Sequence, residues 1–377
     1  MLCVVLACAR TYAIAQPVVQ QTTIEERVDS EELSFRVIRE VADLEHPWGL
    51  AFLPDGSLLI TERPGRLYRF TGDEIHRIEN LPTIRAFGQG GLLDVAVHPA
   101  FSDNQLIYIS YAADYEGGIG TRVARARLEN DRLEDVTVIF EMDPPTRRSG
   151  VHFGSRFAFD SDGYLFVTLG ERGQRYLSQE LNTHHGKVVR LYDDGRVPED
   201  NPFVGQGDAH PEIYTYGHRN QQGMVYDSET GLLWTHEHGP RGGDTLNVIR
   251  SGLNYGWPLA THGEEYRGGR IGTLPERLEH VVDPIVHWTP SIAPSGMSMY
   301  RGDLFPEWSG NFLIGALVQQ HLRRVVTDGE QVVHQEELLR NRIGRIREVA
   351  TDSDGYIWLL TDAPNGGLYR ILPLAKE

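Results

Sequence analysis

The stretch SDGYLFVTLGE (residues 161–171) joins a polar, glycine-containing turn to a short run of apolar and β-branched residues. Gly, Asp and Asn favour such turns because they tolerate a positive φ angle or close an Asx-turn, whereas Leu, Phe and Val suit a pleated strand. The same order of residue types recurs in PDGSLLITE (54–62), SDNQLIYISY (102–111), SETGLLWTHE (228–237), WSGNFLIGAL (308–317) and SDGYIWLLTD (353–362). Each of these six copies predicts a turn followed by a β-strand.

The distances between the copies favour separate sheets joined by variable loops. The turns at Gly56, Asn104, Gly163, Gly231, Asn311 and Gly355 are 48, 59, 68, 80 and 44 residues apart. A solenoid repeats at a fixed 20 to 45 residues or so, and no window of the chain shows a clean helical period. We therefore expect an all-β fold, a six-bladed β-propeller of four-stranded antiparallel blades. A pair of β-sandwich domains is the alternative, although no Pro/Ser-rich linker divides the chain.

The expected domain organisation is a signal peptide over residues 1–15, a polar leader over 16–34 and one propeller domain over 35–374. An apolar stretch followed by small residues predicts cleavage after Ala15, and hence a periplasmic or secreted protein. A cytosolic N-terminal extension, or a lipoprotein signal with Cys8 as the modified residue, remains open. Because Cys3 and Cys8 are the only cysteines, a disulfide scaffold, a Cys-ligated zinc site and a cysteine nucleophile are excluded.

The charge excludes other classes of partner. The chain has 36 Lys and Arg against 53 Asp and Glu, a formal net charge of −17. Such a surface repels phosphate backbones and anionic lipid head groups, so nucleic-acid binding and electrostatic membrane docking are not expected. No segment after the N-terminal one reaches the roughly 18 apolar residues that a membrane span needs, so no integral membrane segment is expected.

Propellers collect functional loops at one end of a central channel, so polar residues in the loop motifs are candidates for a site. Gln89 lies among glycines in AFGQGGLLDVAVHP, where bare backbone lets a flat ligand approach closely. His152 precedes a strand, and an imidazole with an ordinary pKa of about 6.5 is suited to general-base catalysis. Arg219 and Asn220 in YTYGHRNQQGMVYD pair a planar guanidinium with an amide, which suits an anionic or quinone-like acceptor.

A fourth loop, WTHEHGPRGGDTLNVIRSGLNYGWP, predicts a metal site. Gly239 and Pro240 form a turn whose carbonyls have no local strand partner, and Asp244 follows closely; Ca²⁺ accepts such oxygens. His236 and His238 alternate along a strand, so a transition-metal site is the competing interpretation.

Two further motifs offer groups that hold a flat anion. Trp288 in HWTPSIAPSGMSMY is available as a stacking platform. Arg345 and Arg347 alternate in GRIREVATDSDGYIWLLTD, so they point to one side of an extended segment and form an anion clamp. A nucleophile elbow, a P-loop and a dinucleotide-binding glycine motif are all missing, so nicotinamide and ATP chemistry are not expected.

Eight motifs taken together resemble those of the soluble aldose sugar dehydrogenases, relatives of soluble quinoprotein glucose dehydrogenase. The resemblance runs from about His46 to Arg370, through GLAFLPDGSLLITERPGRL, GQGGLLDVAVHPAF, HFGSRFAFDSDG, YGHRNQQG, EHGPRGGD, NYGWP, TPSIAPSGM and RIREV. It implies a periplasmic six-bladed propeller that holds pyrroloquinoline quinone (PQQ) and calcium at the top of its channel. The implied reaction oxidises the C1 hydroxyl of an aldose to a lactone, with an unidentified electron acceptor.

The resemblance also implies a role for each matching residue. His152 matches the catalytic base, which takes the proton of the sugar C1 hydroxyl while hydride passes to C5 of the quinone, and Arg219 lies near the quinone oxygen where negative charge develops. The implied cofactor contacts are Gln89, Arg219, Asn220, Arg345 and Arg347. The implied calcium groups are the carbonyls of Gly239 and Pro240, Asp244 supporting the waters of the ion, and Tyr255 at a second, structural calcium.

Three residues depart from the pattern of that family. Val318 stands where the family has a Lys that contacts the cofactor, Thr245 replaces a Glu that ligates the second calcium, and Val151 replaces an Asp of the glucose-oxidising branch. Loss of the charged contact at Val318 weakens cofactor binding by roughly 1.5 to 3 kcal/mol. Two other functions therefore remain open: a calcium-dependent lactonase propeller and a non-catalytic, ligand-binding propeller.

Overall fold

Each of the six repeated turns lies between the first and second strands of a separate sheet in the computed structural model, which describes residues 16–374. Blade one consists, from the channel outwards, of β3 (Pro47–Phe52), β4 (Leu58–Glu62), β5 (Arg66–Phe70) and β6 (Ile75–Arg77). Blade two consists, in the same direction, of β7 (Leu92–Val97), β8 (Leu106–Tyr115), β9 (Gly118–Glu129) and β10 (Arg132–Glu141). Blade three consists of β11 (Gly154–Phe159), β12 (Leu165–Leu169), β13 (Lys187–Leu191) and β14 (Ile213–Tyr216). Blade four consists of β15 (Gln221–Asp227), β16 (Leu232–Glu237), β17 (Asp244–Ile249) and β18 (Val286–Trp288). Blade five consists of β19 (Pro294–Met299), β20 (Phe312–Ala316), β21 (His321–Asp328) and β22 (Gln331–Leu338). Blade six has five strands, β23 (Ile346–Thr351), β24 (Ile357–Thr361), β25 (Gly366–Pro373), β2 (Ser34–Leu44) and β1 (Val18–Asp29).

The blades form a closed ring. The innermost strands contact one another in the order β3, β7, β11, β15, β19 and β23, and β23 contacts β3 again. Neighbouring strands within each blade are antiparallel. The predicted all-β, six-bladed β-propeller is therefore confirmed.

The apolar core is divided among the interfaces between blades. Six clusters of buried side chains fill the six interfaces. Between blades four and five, for example, Trp234 packs on Phe312 with ring centroids 4.8 Å apart. The second strands β4, β12, β20 and β24 are buried along their whole length. A strand covered on both faces has to be apolar on both, which explains the continuous apolar runs of the six copies.

The N-terminal segment differs from the expected polar leader. Residues 18–29 form β1, which pairs with β2 at the outer edge of blade six. Its Val28 is buried and its Ile24 packs against the core between blades five and six, while most other side chains are exposed. An outermost strand keeps polar side chains towards solvent, so its sequence does not look like that of an interior strand. The expected signal peptide, with Cys3 and Cys8, lies outside the described residues.

Helical structure is scarce in the described part of the chain. The only α-helix among residues 16–374 is α1 (Phe101–Asn104), one turn long, in the first turn of blade two. No helix in that range has the length and the apolar character that crossing a bilayer requires.

Candidate active site

The loops before the innermost strands and those after the second strands meet at one end of the channel, because these two strands are antiparallel in every blade. Two adjoining cavities open there, which we call the outer and the inner chamber. The outer chamber, of about 650 Å³, is lined by Gln89, His152, Arg219, His238, Gly239, Pro240, Arg241, His262, Glu264, Tyr266, Thr289, Ala293 and Val318, among others. The inner chamber, of about 190 Å³, is lined by Trp48, Arg63, Gln89, Asn220, Gln222, His238, Ala293, Arg345, Arg347 and Asp362, among others.

The structure thus brings most of the candidate residues together. Gln89, His152, Arg219, Asn220, Arg345, Arg347 and the Gly239–Pro240 turn each line at least one chamber. They come from the loops of blades two, three, four and six. Their convergence depends on closure of the ring, since no two of these loops are adjacent in the sequence.

The imidazole of His152 is held in its neutral form at the wall of the outer chamber. Its Nδ1 lies 2.5 Å from Glu171 Oε1, so this nitrogen carries the proton and Nε2 is left as the acceptor. Its backbone N–H donates to Gln89 Oε1 at 2.8 Å. Burial lowers the pKa of His152 and the charge of Arg219 lowers it further, while the hydrogen bond to Glu171 opposes both effects. The ring is therefore unprotonated at Nε2 near neutral pH.

Glu171 belongs to a set of carboxylates that repeats around the ring. Four copies of the turn–strand pattern end in an acidic residue, at Glu62, Glu171, Glu237 and Asp362. Each carboxylate binds a group just before or at the start of the innermost strand of its own blade. For example, Glu237 Oε2 accepts the backbone N–H of Arg219 at 2.5 Å. The acidic residue at the end of the repeated pattern can be recognised in the sequence. Its role becomes visible only in the structure, where the end of the second strand lies beside the start of the innermost strand.

Arg219 lies on the border between blades three and four. Its Nη1 donates to the carbonyls of His238 and Gly239, both at 3.1 Å, and its Nη2 lies 3.4 Å from the Tyr266 hydroxyl. Its Nε is buried and has no hydrogen-bond partner among residues 16–374. Next to it, Asn220 Oδ1 accepts the backbone N–H of Gly154 at 3.2 Å. Arg219 therefore presents positive charge to the outer chamber, and Asn220 ties blade four to the strand that follows His152.

The inner chamber carries an excess of positive charge. Arg345 and Arg347 both reach Asp362, at 3.4 Å and 2.9 Å, and Arg63 lines the same cavity. Burial alone would raise the pKa of Asp362, but the charge of Arg347 and the hydrogen bonds from His46 and Arg347 hold it well below its usual range. Three guanidinium groups therefore face one carboxylate, and within the described part of the chain the buried Nε of Arg347 has no hydrogen-bond partner.

Asp244 is placed differently from what the motif suggests. Its carboxylate accepts the backbone N–H of Gly239, Ile292 and Ala293 at 2.8 to 2.9 Å, together with the hydroxyl of Ser291. Its oxygens are thus engaged in fixing the Gly239–Pro240 turn against the segment before β19. Asp244 lines neither chamber.

Trp288 and Tyr255 also lie away from the two chambers. Trp288 is buried between blades four and five, and its Nε1 donates to Gln335 Oε1 at 2.7 Å. The next residue, Thr289, lines the outer chamber instead, because successive side chains of an extended segment point to opposite sides. The Tyr255 hydroxyl donates to the Val248 carbonyl at 2.7 Å, and its ring faces a separate cavity of about 30 Å³.

The alternating histidines do not form the competing transition-metal site. His236 is buried against Gly223, and neither of its ring nitrogens has a hydrogen-bond partner in the part of the chain that the structure describes. The Nε2 of His238 lies 2.7 Å from the Pro294 carbonyl. Within residues 16–374, His184, His210 and Glu212 form the only group of three metal-ligating side chains that lie within 4.8 Å of one another. That group lines neither chamber.

Several residues at the chambers were not singled out as candidates. Glu171, Asp362 and Arg63 each follow a second strand within two residues, and Arg241, Glu264 and Tyr266 belong to the loops of blade four. Of these six residues, only Glu171 and Asp362 belong to a recognisable sequence pattern, the acidic ending of the repeated turn and strand. The other four lie in segments whose backbone path is set by tertiary contacts.

Comparisons with known proteins agree with this geometry. A model of the Glucose / Sorbosone dehydrogenase family matches residues 44–370. The aldose sugar dehydrogenase YliI of Escherichia coli (strain K12) is 42% identical over 340 residues, covering 88% of this chain and 91% of that protein. A crystal structure of a glucose dehydrogenase is 46% identical with a TM-score of 0.86, covering 90% of this chain and 99% of that one.

A more distant structure is the PQQ-bound form of an aldose sugar dehydrogenase from Streptomyces coelicolor. It is 26% identical, with a TM-score of 0.73, and covers 94% of this chain and 100% of its own. The expectation of a sugar dehydrogenase, drawn from eight short motifs, is thereby confirmed at the level of the family. Sequence and fold agree over nearly all of the described chain, and the protein belongs to the glucose/sorbosone dehydrogenase family of oxidoreductases.

Proposed function

We propose that the protein is a PQQ- and calcium-dependent dehydrogenase that oxidises the C1 hydroxyl of aldose sugars to lactones. One observation carries the proposal: a neutral, carboxylate-bound imidazole at His152 adjoins a chamber lined by three guanidinium groups. Supporting it, the relatives described above are aldose sugar and glucose dehydrogenases, and one of them holds PQQ in its solved structure.

The residues of the inner chamber fit PQQ, which is flat and carries three carboxylates. Arg63, Arg345 and Arg347 offer three positive charges against the single negative charge of Asp362. Trp48 forms part of the wall, and among residues 16–374 the buried Nε of Arg347 finds no hydrogen-bond partner. Charge-assisted hydrogen bonds from guanidinium to carboxylate are among the strongest that a protein makes.

The side chains around the outer chamber supply the acid–base chemistry. PQQ, when bound, supplies the two-electron acceptor for the hydride that leaves C1. His152 Nε2 takes the proton of the C1 hydroxyl, and the carboxylate of Glu171 stabilises the imidazolium that forms. Arg219 places a positive charge at the outer chamber, where it would favour the development of negative charge on the acceptor.

A calcium ion fits the Gly239–Pro240 turn at the same wall. No N–H of the described residues donates to the Pro240 carbonyl, and the Gly239 carbonyl accepts only from Arg219. Backbone carbonyls are ordinary ligands of this hard cation. A second calcium beside Tyr255 does not fit: among the described residues, the only carboxylate at that cavity is Glu237, which already binds His218 and the amide of Arg219.

The direct test is to reconstitute the purified protein with PQQ and CaCl₂ and to follow reduction of an artificial dye with a panel of aldoses. We expect turnover that depends on PQQ, on calcium and on the sugar. Tight PQQ binding, measured by calorimetry, without turnover on any aldose would contradict the proposal. A lactone hydrolysed without PQQ would point to the lactonase alternative.

A variant at the base separates catalysis from binding. We expect His152→Ala to lower kcat by about two decades or more, since general-base catalysis contributes on the order of 10² to 10⁴. The dissociation constant of PQQ is expected to stay within about three-fold, because no group of the inner chamber is removed. Unchanged turnover would exclude His152 from the reaction.

The location outside the cytoplasm is also a proposal, and it rests on residues 1–15. Expression of the full chain in a Gram-negative host, followed by fractionation and N-terminal sequencing, tests it. We expect a periplasmic product that starts at Gln16. A full-length product in the cytoplasm would contradict it.

A further inference from the structure

A hairpin of blade four forms part of the wall of the outer chamber. It lies in the connection between β17 and β18, where Glu264 and Arg270 form an antiparallel backbone bridge and a parallel bridge between Ala260 and Thr273 joins the ends of the segment. At the tip, the backbone N–H of Glu265 donates to the Gly269 carbonyl at 2.9 Å, and Gly268 and Gly269 both have positive φ angles. Such a tip is a defined turn rather than an open loop.

Contacts on two sides fix the position of the hairpin. Glu265 forms a two-point ion pair with Arg175, on the loop that follows β12, at 2.6 Å and 3.3 Å. On the other side, the backbone of Glu264 pairs with that of Arg241, which directly follows the Gly239–Pro240 turn. The tip is therefore tied both to blade three and to the wall of the chamber.

Tyr266 lies at this tip and faces the chamber that contains His152. Its side chain lines the cavity although the residue is 69% exposed. Its hydroxyl lies 3.4 Å from Arg219 Nη2. An aromatic ring that stays exposed beside a cavity leaves one flat apolar face available to a ligand.

The polar groups beside the ring indicate what kind of ligand that is. Arg241 and Glu264 line the same chamber, and neither side chain has a hydrogen-bond or ion-pair partner among the described residues. Arg241 and Glu264 carry opposite charges, so together they add no net charge to this wall, in contrast to the arginines of the inner chamber. An apolar face flanked by a donor and an acceptor suits a neutral ring that carries hydroxyl groups.

We propose that Tyr266 is a specificity-determining residue whose ring packs on a face of the sugar, with Arg241 and Glu264 binding hydroxyls remote from C1. This inference rests on the proposed function and assigns the substrate-facing wall of that same site. The Tyr266 hydroxyl contributes less than the ring, since its contact with Arg219 is long.

The test compares Tyr266→Ala with Tyr266→Phe, using the PQQ- and calcium-loaded enzyme. We expect Tyr266→Ala to raise KM for aldoses about ten-fold while kcat stays within about two-fold, because a contact made equally in ground and transition states is lost. Tyr266→Phe keeps the ring and is expected to keep KM within about two-fold. Arg267→Ala is the matched control, because Arg267 is the next residue of the same tip, is exposed and lines neither chamber.

A binding measurement without the cofactor removes any dependence on turnover. Saturation-transfer NMR with the cofactor-free protein and an aldonolactone is expected to show contacts to the sugar-ring protons in the wild type and in Tyr266→Phe, and to lose them in Tyr266→Ala. Melting temperatures of the variants verify that the fold is kept, and Tyr266→Leu replaces Tyr266→Ala if the latter unfolds.

The outcomes for the two proposals are distinguishable. If the wild type oxidises aldoses and Tyr266→Ala has the wild-type KM, this inference is overturned and the proposed function stands. If Arg267→Ala raises KM as much as Tyr266→Ala does, the effect belongs to the hairpin as a whole and the role of the ring is overturned. If the wild type binds PQQ but oxidises no aldose, the proposed function itself fails.

Discussion

His152 is positioned by two side chains that come from other turns of the chain, Gln89 from blade two and Glu171 from the loop that follows β12. Its φ angle is +52°, in the left-handed region that residues other than glycine adopt infrequently. The hydrogen bond from its backbone N–H to Gln89 holds that conformation, and the bond to Glu171 fixes the orientation of the ring. The same two contacts leave Nε2 free, which is what a base requires.

The pH dependence of catalysis follows from that arrangement. Because the pKa of His152 lies below the ordinary 6.5, we expect kcat/KM to be on its plateau at pH 7 and to fall only at more acidic pH. Glu171→Gln removes the group that raises this pKa, so the acidic limb moves to lower pH. It also offers an amide N–H to Nδ1, so we expect kcat to fall by about two decades.

Measurement of kcat/KM between pH 4.5 and 8 for wild type and Glu171→Gln checks this prediction. The control is Glu330→Gln, whose carboxylate pairs with Arg250 on the surface, away from the chambers. An acidic limb that moves to higher pH in Glu171→Gln would contradict the assigned role of the carboxylate.

Val318 permits a gain-of-function test at the proposed cofactor site. It lines the outer chamber and is 48% exposed, so a longer cationic side chain has room there. We expect Val318→Lys to tighten PQQ binding by about one decade, in line with roughly 1.5 kcal/mol for a hydrogen bond to a charged group. Calorimetric titration measures the change, with Val204→Lys, exposed and outside both chambers, as the control. Equal affinities in all three proteins would argue that PQQ does not lie beside Val318.

At the scale of elements, the two N-terminal strands decide whether the ring closes. β2 pairs with β25 along most of its length, and β1 covers the outer edge of β2. Blade six is thereby built from both ends of the described chain. The contacts that close the ring are non-local, so they form only when the whole propeller has assembled.

Phe35 of β2 tests the contribution of this closure. It is fully buried between blades five and six, where its ring packs edge-on against Trp308 with centroids 5.7 Å apart. We expect Phe35→Ala to lower the free energy of unfolding by about 3 to 5 kcal/mol, the cost of a large cavity in a packed core. Chemical denaturation measures it, with the exposed Val18→Ala of β1 as control. A loss below about 1 kcal/mol would mean that the core relaxes around the missing ring.

At the scale of the whole molecule, a buried charge network connects opposite blades of the ring. Arg156 of β11 binds Asp94 of β7 and Glu348 of β23, and its Nε donates to the Gln222 carbonyl at 2.7 Å. The network thus joins innermost strands of blades two, three, four and six. The three charged residues Asp94, Arg156 and Glu348 also line a further cavity of about 250 Å³.

Glu348 gives the network a pH dependence that is measurable as stability. Burial raises the pKa of Glu348 from 4.5 to about 7, and Asp94 adds to the increase while Arg156 opposes it. Between those values the folded protein binds a proton that the unfolded chain releases, so this contribution to stability is present at low pH and is lost as pH rises towards 7.

We expect Glu348→Gln to remove that dependence. Relative to wild type, the variant should gain about 1 kcal/mol or more between pH 4.5 and 7, since one pKa unit corresponds to about 1.4 kcal/mol. Denaturant midpoints at several pH values check it, with the exposed Asp73→Asn as control. A stability difference that stays constant with pH would show that Glu348 keeps one protonation state over that range.

The sequence by itself determined the number of blades and the order of their first turns. A polar turn and the apolar strand after it depend on local φ and ψ preferences and on burial of both faces, so six copies were recognisable one by one. Several polar loop residues were also recognisable, because Gln89, His152, Arg219 and Arg345 stand in short motifs that need no distant partner to be noticed.

Only the tertiary structure decided which side chains meet. One step along an extended segment turns a side chain from the chamber to the core, so Thr289 lines the site and Trp288 does not. Glu171 and Tyr266 acquire their positions from strand pairing and from an ion pair to another blade. Local patterns specify backbone conformation, whereas the composition of the site depends on closure of the ring and on which face of each strand looks into the channel.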